Sequence, residues 1–246
     1  MSKLLNSHNF YDPDFQAILQ LAEEETHQNR QIKVDQLYKK AKRDLNINWK
    51  DLTAIIKYMF EEKLLVEGSK LIRENIPENH FRASIYQYIQ KYPGMNFRTL
   101  KKWVFYQKSI NKNPSNILKK KDFGSSGQFV WHLSKLMEFK YINKVSFKNL
   151  SLFVPHYIDS SKAKSYFLLR DKINKKIFSY LIENNSVKQS EIPELLELSK
   201  GSIYHRIKTM IEEDIIISKK IGRTLELKIN PILKKQLIKI YQDIKI

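Results

Sequence analysis

The residues best suited to chemistry lie in one stretch near the C-terminus, which reads SKGSIYHRIKTM from Ser199 to Met210. Its apolar residues Ile203, Ile207 and Met210 recur at helical spacing and predict one buried face. The opposite face then carries hydroxyl, imidazole and ammonium groups. Such groups form hydrogen bonds and attract anions, so the stretch predicts a binding surface.

Catalytic chemistry finds no comparable support. The chain has no cysteine, which excludes disulfides, Cys-based zinc sites and thiol nucleophiles, and its six histidines are scattered. The DFG at 122–124 lacks the other kinase motifs, and the GSSG at 124–127 lacks the lysine of a phosphate-binding loop. We expect no enzyme, no cofactor and no metal, and no small-molecule substrate is evident.

Charge is distributed unevenly along the chain. Residues 1–80 carry 12 basic and 13 acidic side chains, a net charge of −1, whereas residues 81–165 carry 16 and 3, a net of +13. Residues 166–246 carry 16 and 10, a net of +6. This asymmetry favours a polyanion partner for the middle and C-terminal parts over a lysine-rich composition alone.

Localisation is inferred from what the sequence lacks. No run of about 18 apolar residues exists, and the first residues lack the apolar core of a signal peptide. We expect a cytoplasmic, nucleoid-associated protein that does not bind a membrane.

The C-terminal part predicts three helices followed by a hairpin. Apolar spacing indicates helices over 175–184, around 192–198 and after Ser199, which stands at the N-cap position. Two β-rich runs then flank Lys220–Arg223. This order is that of a winged helix-turn-helix domain.

The middle of the chain repeats the pattern. Residues 83–100 align without gaps on 175–192, an offset of 92, and residues 127–142 align on 201–216, an offset of 74. The difference predicts a basic insertion at about 105–122 between the second and third helices. A repeat of this length indicates two related domains.

The first segment is a weaker third copy. Helices are expected over 15–25, 33–45 and 48–63, followed by one strand at 64–68 (LLVEG) without a clear second strand. A plain three-helix bundle is the alternative. We therefore predict a mainly α protein with small β-hairpin wings (α+β), divided into 1–78, 79–158 and 159–246, with tandem winged helix-turn-helix domains.

The motifs Tyr92-Pro93-Gly94, Phe97, Gly127, His132-Leu133 and Leu136 give the chain a family resemblance. In this pattern the chain resembles archaeal transcriptional regulators with tandem winged helix-turn-helix domains, over about 81–155 and 170–231. It departs from them in the basic insertion and in Arg206, where the pattern has His. The resemblance implies a DNA-binding fold and suggests transcription regulation.

The residues expected to contact double-stranded DNA lie on the two third helices, the insertion and the wing. Recognition helices present such side chains to the major groove and phosphates, and a basic wing reaches the backbone or the minor groove. On the C-terminal copy they are Lys200, Ser202, Tyr204, His205, Arg206, Lys208, Thr209, Lys219, Lys220 and Arg223. On the middle copy they are Ser126, Gln128, Trp131, Ser134, Lys135, Lys119, Lys120 and Lys121.

Trp131 is open to two interpretations: it stacks on a sugar or base, or it packs under the insertion. In the first segment, the corresponding helix face is poorly suited to bind DNA, because it carries two basic residues against one acidic residue. This favours an interaction or dimerisation module; the residues of the face are Lys50, Ala54, Lys57 and Glu61.

The tail predicts an amphipathic helix that either packs on its own domain or pairs two copies of the chain. Homodimerisation is favoured, because regulators that read two half-sites need such an interface. Its residues would be Leu233, Leu237, Ile240, Tyr241 and Ile244.

Two functions follow. The first is a sequence-specific or semi-specific DNA-binding transcriptional regulator. The second is a winged-helix adaptor that binds proteins, as in endosomal sorting complexes or the basal transcription machinery.

Overall fold

The computed structural model describes residues 12–28, 30–112 and 126–245, without the side chains of residues 105–112 and of residue 245. It is mainly helical and contains two small three-stranded sheets, which confirms the predicted fold class. Among the described helices, none combines the length and the apolar character needed to cross a bilayer.

The chain forms two compact units. The first comprises the described residues within 1–87 and 107–142, and the second those within 88–106 and 143–246. This grouping differs from the predicted three domains, which stay a prediction.

The first unit begins with the three predicted helices, α1 (Pro13–His27), α2 (Val34–Asp44) and α3 (Trp49–Glu61). Asp12 and Asn48 cap α1 and α3, because their side chains accept hydrogen bonds from backbone N–H groups of the first turn. The helices pack around one apolar cluster whose members are almost fully buried. They include Phe15, Ile18, Ala22, Leu37, Ala41, Leu52, Ile55, Ile56 and Met59.

No wing follows these helices. Residues 62–79, all of which the structure describes, contain no strand, so the strand predicted at 64–68 was wrong. Leu64 and Leu65 instead turn back, their backbone N–H groups donating to the Met59 carbonyl, and their side chains are buried with the helices. A turn that packs against α3 buries both leucines, whereas an exposed β-strand would leave one of two consecutive side chains in solvent. The first segment is therefore the plain three-helix bundle.

The middle copy of the repeated pattern contains the next three helices. Helix α4 spans His80–Lys91 and α5 spans Phe97–Lys112, with the short strand β1 (Met95–Asn96) between them, and α6 spans Ser126–Glu138. Because α5 continues to Lys112, the first eight residues of the predicted insertion belong to the second helix of this copy rather than to the segment between the helices. Its remainder lies outside the described residues.

The second unit holds both sheets. Strands β2 (Ile142–Phe147) and β3 (Leu150–Pro155) form a hairpin, and β3 also pairs with β1. A 3-10 turn then leads into α7 (Ala163–Arg170), a helix that the sequence analysis missed.

The C-terminal copy follows in the predicted order. It consists of α8 (Lys172–Asn184), β4 (Val187–Lys188), α9 (Ile192–Leu195), α10 (Lys200–Glu212), β5 (Ile216–Ile221) and β6 (Thr224–Ile229), ending in α11 (Lys234–Lys245). The strand order of its sheet is β4-β6-β5.

Equivalent elements occur at the two offsets found in the sequence. Met95–Asn96 and Val187–Lys188, the short strands, are 92 residues apart. The third helices α6 and α10 are 74 residues apart, as are β2 and β5, and β3 and β6. The same sequence pattern therefore yields the same elements twice.

One apolar core runs through the second unit. It joins Phe147, Leu152 and Val154 of the β2–β3 hairpin to buried residues of α7, α8, α10, the second sheet and α11. Gly94 marks a close approach beside this core: its φ is +77°, and a Cβ there would lie 2.7 Å from the carbonyl oxygen of Ala163 and from the Cβ of Tyr166. A residue with a side chain would therefore collide with α7.

Candidate nucleic-acid interface

Helix α10 presents the outward face that its sequence predicts. Ile203, Ile207 and Met210 are buried in the core of the second unit. The residues exposed on the other side are Lys200, Ser202, Tyr204, His205 and Lys208. Ser199 stands at the N-cap with extended backbone angles, as predicted. The first two turns of α10 thus offer hydroxyl, imidazole and ammonium groups to solvent.

Gly201 lies within this exposed face. A Cβ built at this position would meet no atom within 4 Å, so the fold itself does not require glycine there. The absence of a side chain leaves the backbone of the first turn open to a close partner.

Thr209 does not belong to the exposed face. It is 7% exposed, and its hydroxyl oxygen accepts a hydrogen bond from Lys148 Nζ at 3.2 Å. Helical spacing placed Thr209 outward, but the turn of the β2–β3 hairpin packs over it. The prediction that Thr209 faces a DNA groove was therefore wrong.

Arg206 is engaged within the protein. Its Nη1 donates to Asp171 Oδ1 at 2.6 Å and to Asn174 Oδ1 at 3.3 Å. The same Asp171 oxygen caps α8 by accepting from the backbone N–H groups of Ile173 and Asn174. Arg206 thus ties α10 to the N-terminus of α8, so its predicted role as a phosphate ligand is corrected to a positioning role.

The β5–β6 hairpin, called the free wing below, extends into solvent. Lys219, Lys220, Gly222 and Arg223 are exposed, and Gly222 adopts a φ of +62° at the turn. Within the described part of the chain, no acidic group lies within 4 Å of the cationic atoms of Lys219, Lys220 or Arg223. These three charges are uncompensated by ion pairs and lie on the hairpin that follows α10.

Helix α6 exposes much of the face predicted for it, within the first unit. Ser126, Gln128, Trp131 and Ser134 are exposed. Lys135, however, is half-buried and forms an ion pair with Glu138 at 2.7 Å, which neutralises its charge locally. Its predicted phosphate contact is therefore opposed by an existing partner.

Trp131 packs on a buried arginine. The Arg82 guanidinium lies 5.6 Å from the Trp131 ring centroid, while the indole remains 48% exposed. Arg82 is held by its Nε donating to the Ile76 carbonyl at 2.8 Å, and burial lowers its pKa. One ring face is thus occupied inside the protein, which neither sequence interpretation foresaw.

The lysines of the insertion, Lys119, Lys120 and Lys121, lie outside the described residues. Their predicted contribution to phosphate binding stays a prediction.

The first unit also exposes a tryptophan that the sequence analysis did not single out. Trp49 begins α3 and is 62% exposed, with Lys50 Nζ 5.7 Å from its ring centroid. Its position directly after the N-cap Asn48 was the available signal, because a first-turn residue ahead of the apolar stripe projects into solvent.

The amphipathic stripe of α11 does not form a free dimerisation surface. Leu237, Ile240 and Tyr241 are buried in the core of the second unit, and Leu233 and Ile244 pack against it. The stripe covers its own domain, the alternative left open by the sequence. The homodimer prediction therefore loses the surface on which it rested.

The interface is suited to nucleic acid rather than to a metal ion. In the ranges that the structure describes, no group of three or more His, Asp or Glu side chains is arranged to hold a metal ion. The exposed groups of α10 and the free wing are hydrogen-bonding and cationic, which suits contact with phosphates and base edges.

Comparison with known proteins points to the same C-terminal part of the chain as the site. No curated protein matches the chain. A family model described as winged helix-turn-helix DNA-binding matches residues 170–217, from the end of α7 through α8, β4, α9 and α10 into β5. The chain therefore contains a winged helix-turn-helix DNA-binding domain in its C-terminal part.

Proposed function

We propose that this protein is a transcriptional regulator that binds double-stranded DNA through its C-terminal winged helix. The N-terminal half of α10 enters the major groove, with Ser202 and His205 toward base edges. The wing cations Lys219, Lys220 and Arg223 contact the backbone or the minor groove. The observation that carries this proposal is the joint exposure of these groups without ion pairs in a domain of DNA-binding type.

We further propose that the chain carries a second winged helix in its middle, related to the tandem domains of archaeal regulators. The equal spacing of equivalent strands and helices supports this. This copy contributes the exposed side chains of α6, such as Gln128 and Ser134, rather than a wing. Nucleoid association follows if the protein binds DNA in the cell.

The test is binding of the purified protein to a mixed-sequence fluorescent duplex, followed by anisotropy over a salt series. We expect a Kd of roughly micromolar or tighter at low salt, with a logarithm that changes steeply with log salt because bound cations release counterions. Alanine substitution of Lys219, Lys220 and Arg223 together removes up to three phosphate contacts. The slope then falls by up to about 3 units.

A matched control separates contact from overall charge. The triple variant with Ala at Lys33, Lys39 and Lys70 removes the same charge from exposed positions in the first segment. Its slope should equal that of the wild type. An unchanged slope in the wing variant, or an equal fall in both variants, removes the wing from the interface.

The adaptor alternative is favoured by exposed apolar side chains in the first unit. Trp49, Val130 and Trp131 are 62%, 47% and 48% exposed, and large exposed apolar groups often mark protein-binding surfaces. If the adaptor function alone is correct, duplex binding of the wild type will be weak and insensitive to salt.

A further inference from the structure

The second unit contains a cavity that plays no part in the proposed DNA interface. Its volume is about 390 Å³, within the range of small-molecule sites. The end of α4, the segment before α7, α7 itself and α11 form its wall. None of the proposed DNA-contacting residues of α10 or the free wing lines it.

The charge of the wall is strongly unbalanced. Four cations line the cavity and only one carboxylate does so; the cations are Lys91, Lys162, Lys239 and Arg170, and the carboxylate is Asp243. Asp243 is already engaged, because its Oδ2 accepts a hydrogen bond from the Tyr166 hydroxyl at 2.9 Å. Among the described residues, none of the four cations has an ion-pair partner within 4 Å. The wall therefore attracts anions.

Arg170 contributes a guanidinium that is held in place from within the protein. Its Nη2 donates to the Pro93 carbonyl at 2.9 Å, and the Tyr92 ring centroid lies 5.3 Å from its guanidinium carbon. Burial also lowers the pKa of this guanidinium. A fixed, partly desolvated guanidinium at a cavity wall is well suited to a phosphate or carboxylate oxygen.

We propose that this cavity binds a small molecule bearing two or more phosphate groups. Several lysines around one guanidinium match the charge of phosphate groups better than that of a single carboxylate. The exposed Tyr157 ring on the same wall can cover an apolar part of such a ligand. The cavity would bind a free small molecule, whereas the exposed faces of α10 and the free wing would contact the phosphates of a DNA duplex.

Isothermal titration calorimetry with inorganic pyrophosphate tests the proposal at constant ionic strength. We expect saturable binding by the full chain, and at least a tenfold weaker affinity for the double variant Lys162→Gln/Lys239→Gln. The control Lys234→Gln/Lys235→Gln removes the same charge from exposed positions of α11 that do not line the cavity. It should bind pyrophosphate like the wild type.

Several outcomes would overturn the proposal. These are the absence of saturable pyrophosphate binding, equal losses in both double variants, or no loss in the Lys162/Lys239 variant. Citrate binding at least as tightly as pyrophosphate would reassign the site to carboxylates.

A duplex-binding arm separates the two sources of phosphate. If the Lys162/Lys239 variant loses duplex affinity while the wild type ignores pyrophosphate, the cavity cations serve the DNA backbone, and the proposal fails. Calorimetry does not involve DNA, so a failure of the proposed DNA-binding function would leave its result unchanged.

Discussion

The two hairpins of the second unit occupy equivalent places in the sequence and opposite environments in the fold. Phe147 and Ile221 are 74 residues apart, at the end of β2 and of β5, yet Phe147 is 4% exposed and Ile221 is 51% exposed. The turn of β2–β3 packs on the C-terminal domain, whereas the free wing stands in solvent. The same element thus serves packing in one copy and is available for contact in the other.

The sequence explains this difference in part. Val145 and Ser146 in β2 stand where β5 has Lys219 and Lys220, so the first hairpin has little charge to keep it in water. Its one tip cation, Lys148, donates to Thr209 rather than facing solvent alone. A hairpin of this composition gains more from burial than from exposure.

The largest expected effect is on the free energy of unfolding, and it distinguishes Phe147 from its equivalent, Ile221. Phe147→Ala removes a buried aromatic side chain from the core and should lower the free energy of unfolding by about 4 kcal/mol. Ile221→Ala changes an exposed side chain and should alter it by less than about 0.5 kcal/mol. Urea unfolding of both variants measures the contrast; equal effects would mean that the first hairpin is not packed in solution.

The positions directly before β1 and β4 give a second contrast. Gly94 and Ser186 are equivalent at the offset of 92. Gly94 has a φ of +77° and lies against the backbone of α7, whereas Ser186 does not adopt a positive φ. Gly94→Ala should cost about 3 kcal/mol, from the left-handed backbone and the collision with α7. Thermal and urea unfolding report this loss. A neutral result would show that α7 moves away without cost.

The two wings should also differ in their response to salt. Lys220→Ala should lower the salt slope of duplex binding by about 0.9, the contribution of one phosphate contact. Lys148→Ala should leave the slope unchanged, because its ammonium is bonded within the protein. Anisotropy titrations compare these two single variants. A change for Lys148→Ala alone would exchange the roles assigned to the hairpins.

The smallest expected effect concerns a carboxylate of the free wing. The Ser186 hydroxyl donates to Glu226 Oε1 at 2.7 Å, and this bond lowers the pKa of Glu226 below 4.5. The equivalent position of β3 is the buried Leu152, which has no such group.

Ser186→Ala should raise the pKa of Glu226 toward 4.5, as NMR titration of its carboxyl group would show. Since the folded-state pKa is depressed, the contribution of Glu226 to stability is present above its unfolded pKa and is lost as pH falls through the folded value. An unchanged pKa would assign the shift to Lys228 instead, whose Nζ lies 3.4 Å from Glu226.

Several features of the site were predictable because they depend on local order. Helical spacing placed Ile203 and Ile207 inside and Ser202 and His205 outside, and the structure agrees. The two β-rich runs on either side of Gly222 likewise predicted the hairpin that forms the free wing. Local periodicity determines which face of an amphipathic helix is apolar. That face is buried, because its exposure to water is unfavourable.

Other features depended on distant partners and could not be read locally. Thr209 is covered by a lysine 61 positions earlier, and Arg206 is bound by Asp171, 35 positions earlier. No spacing rule within α10 contains that information. The strand predicted at 64–68 failed for a similar reason, because packing against α3 outweighed its β-rich composition.

The sequence by itself determined most of the helices and both hairpins of this protein, their repetition at offsets of 92 and 74, and the accumulation of positive charge after residue 80. These depend on side-chain periodicity and composition, which are local properties. The tertiary structure decided which hairpin is free, which cations are paired, and where the stripe of α11 is buried. Burial and ion pairing depend on atoms brought together from distant parts of the chain, so only the folded arrangement determines them.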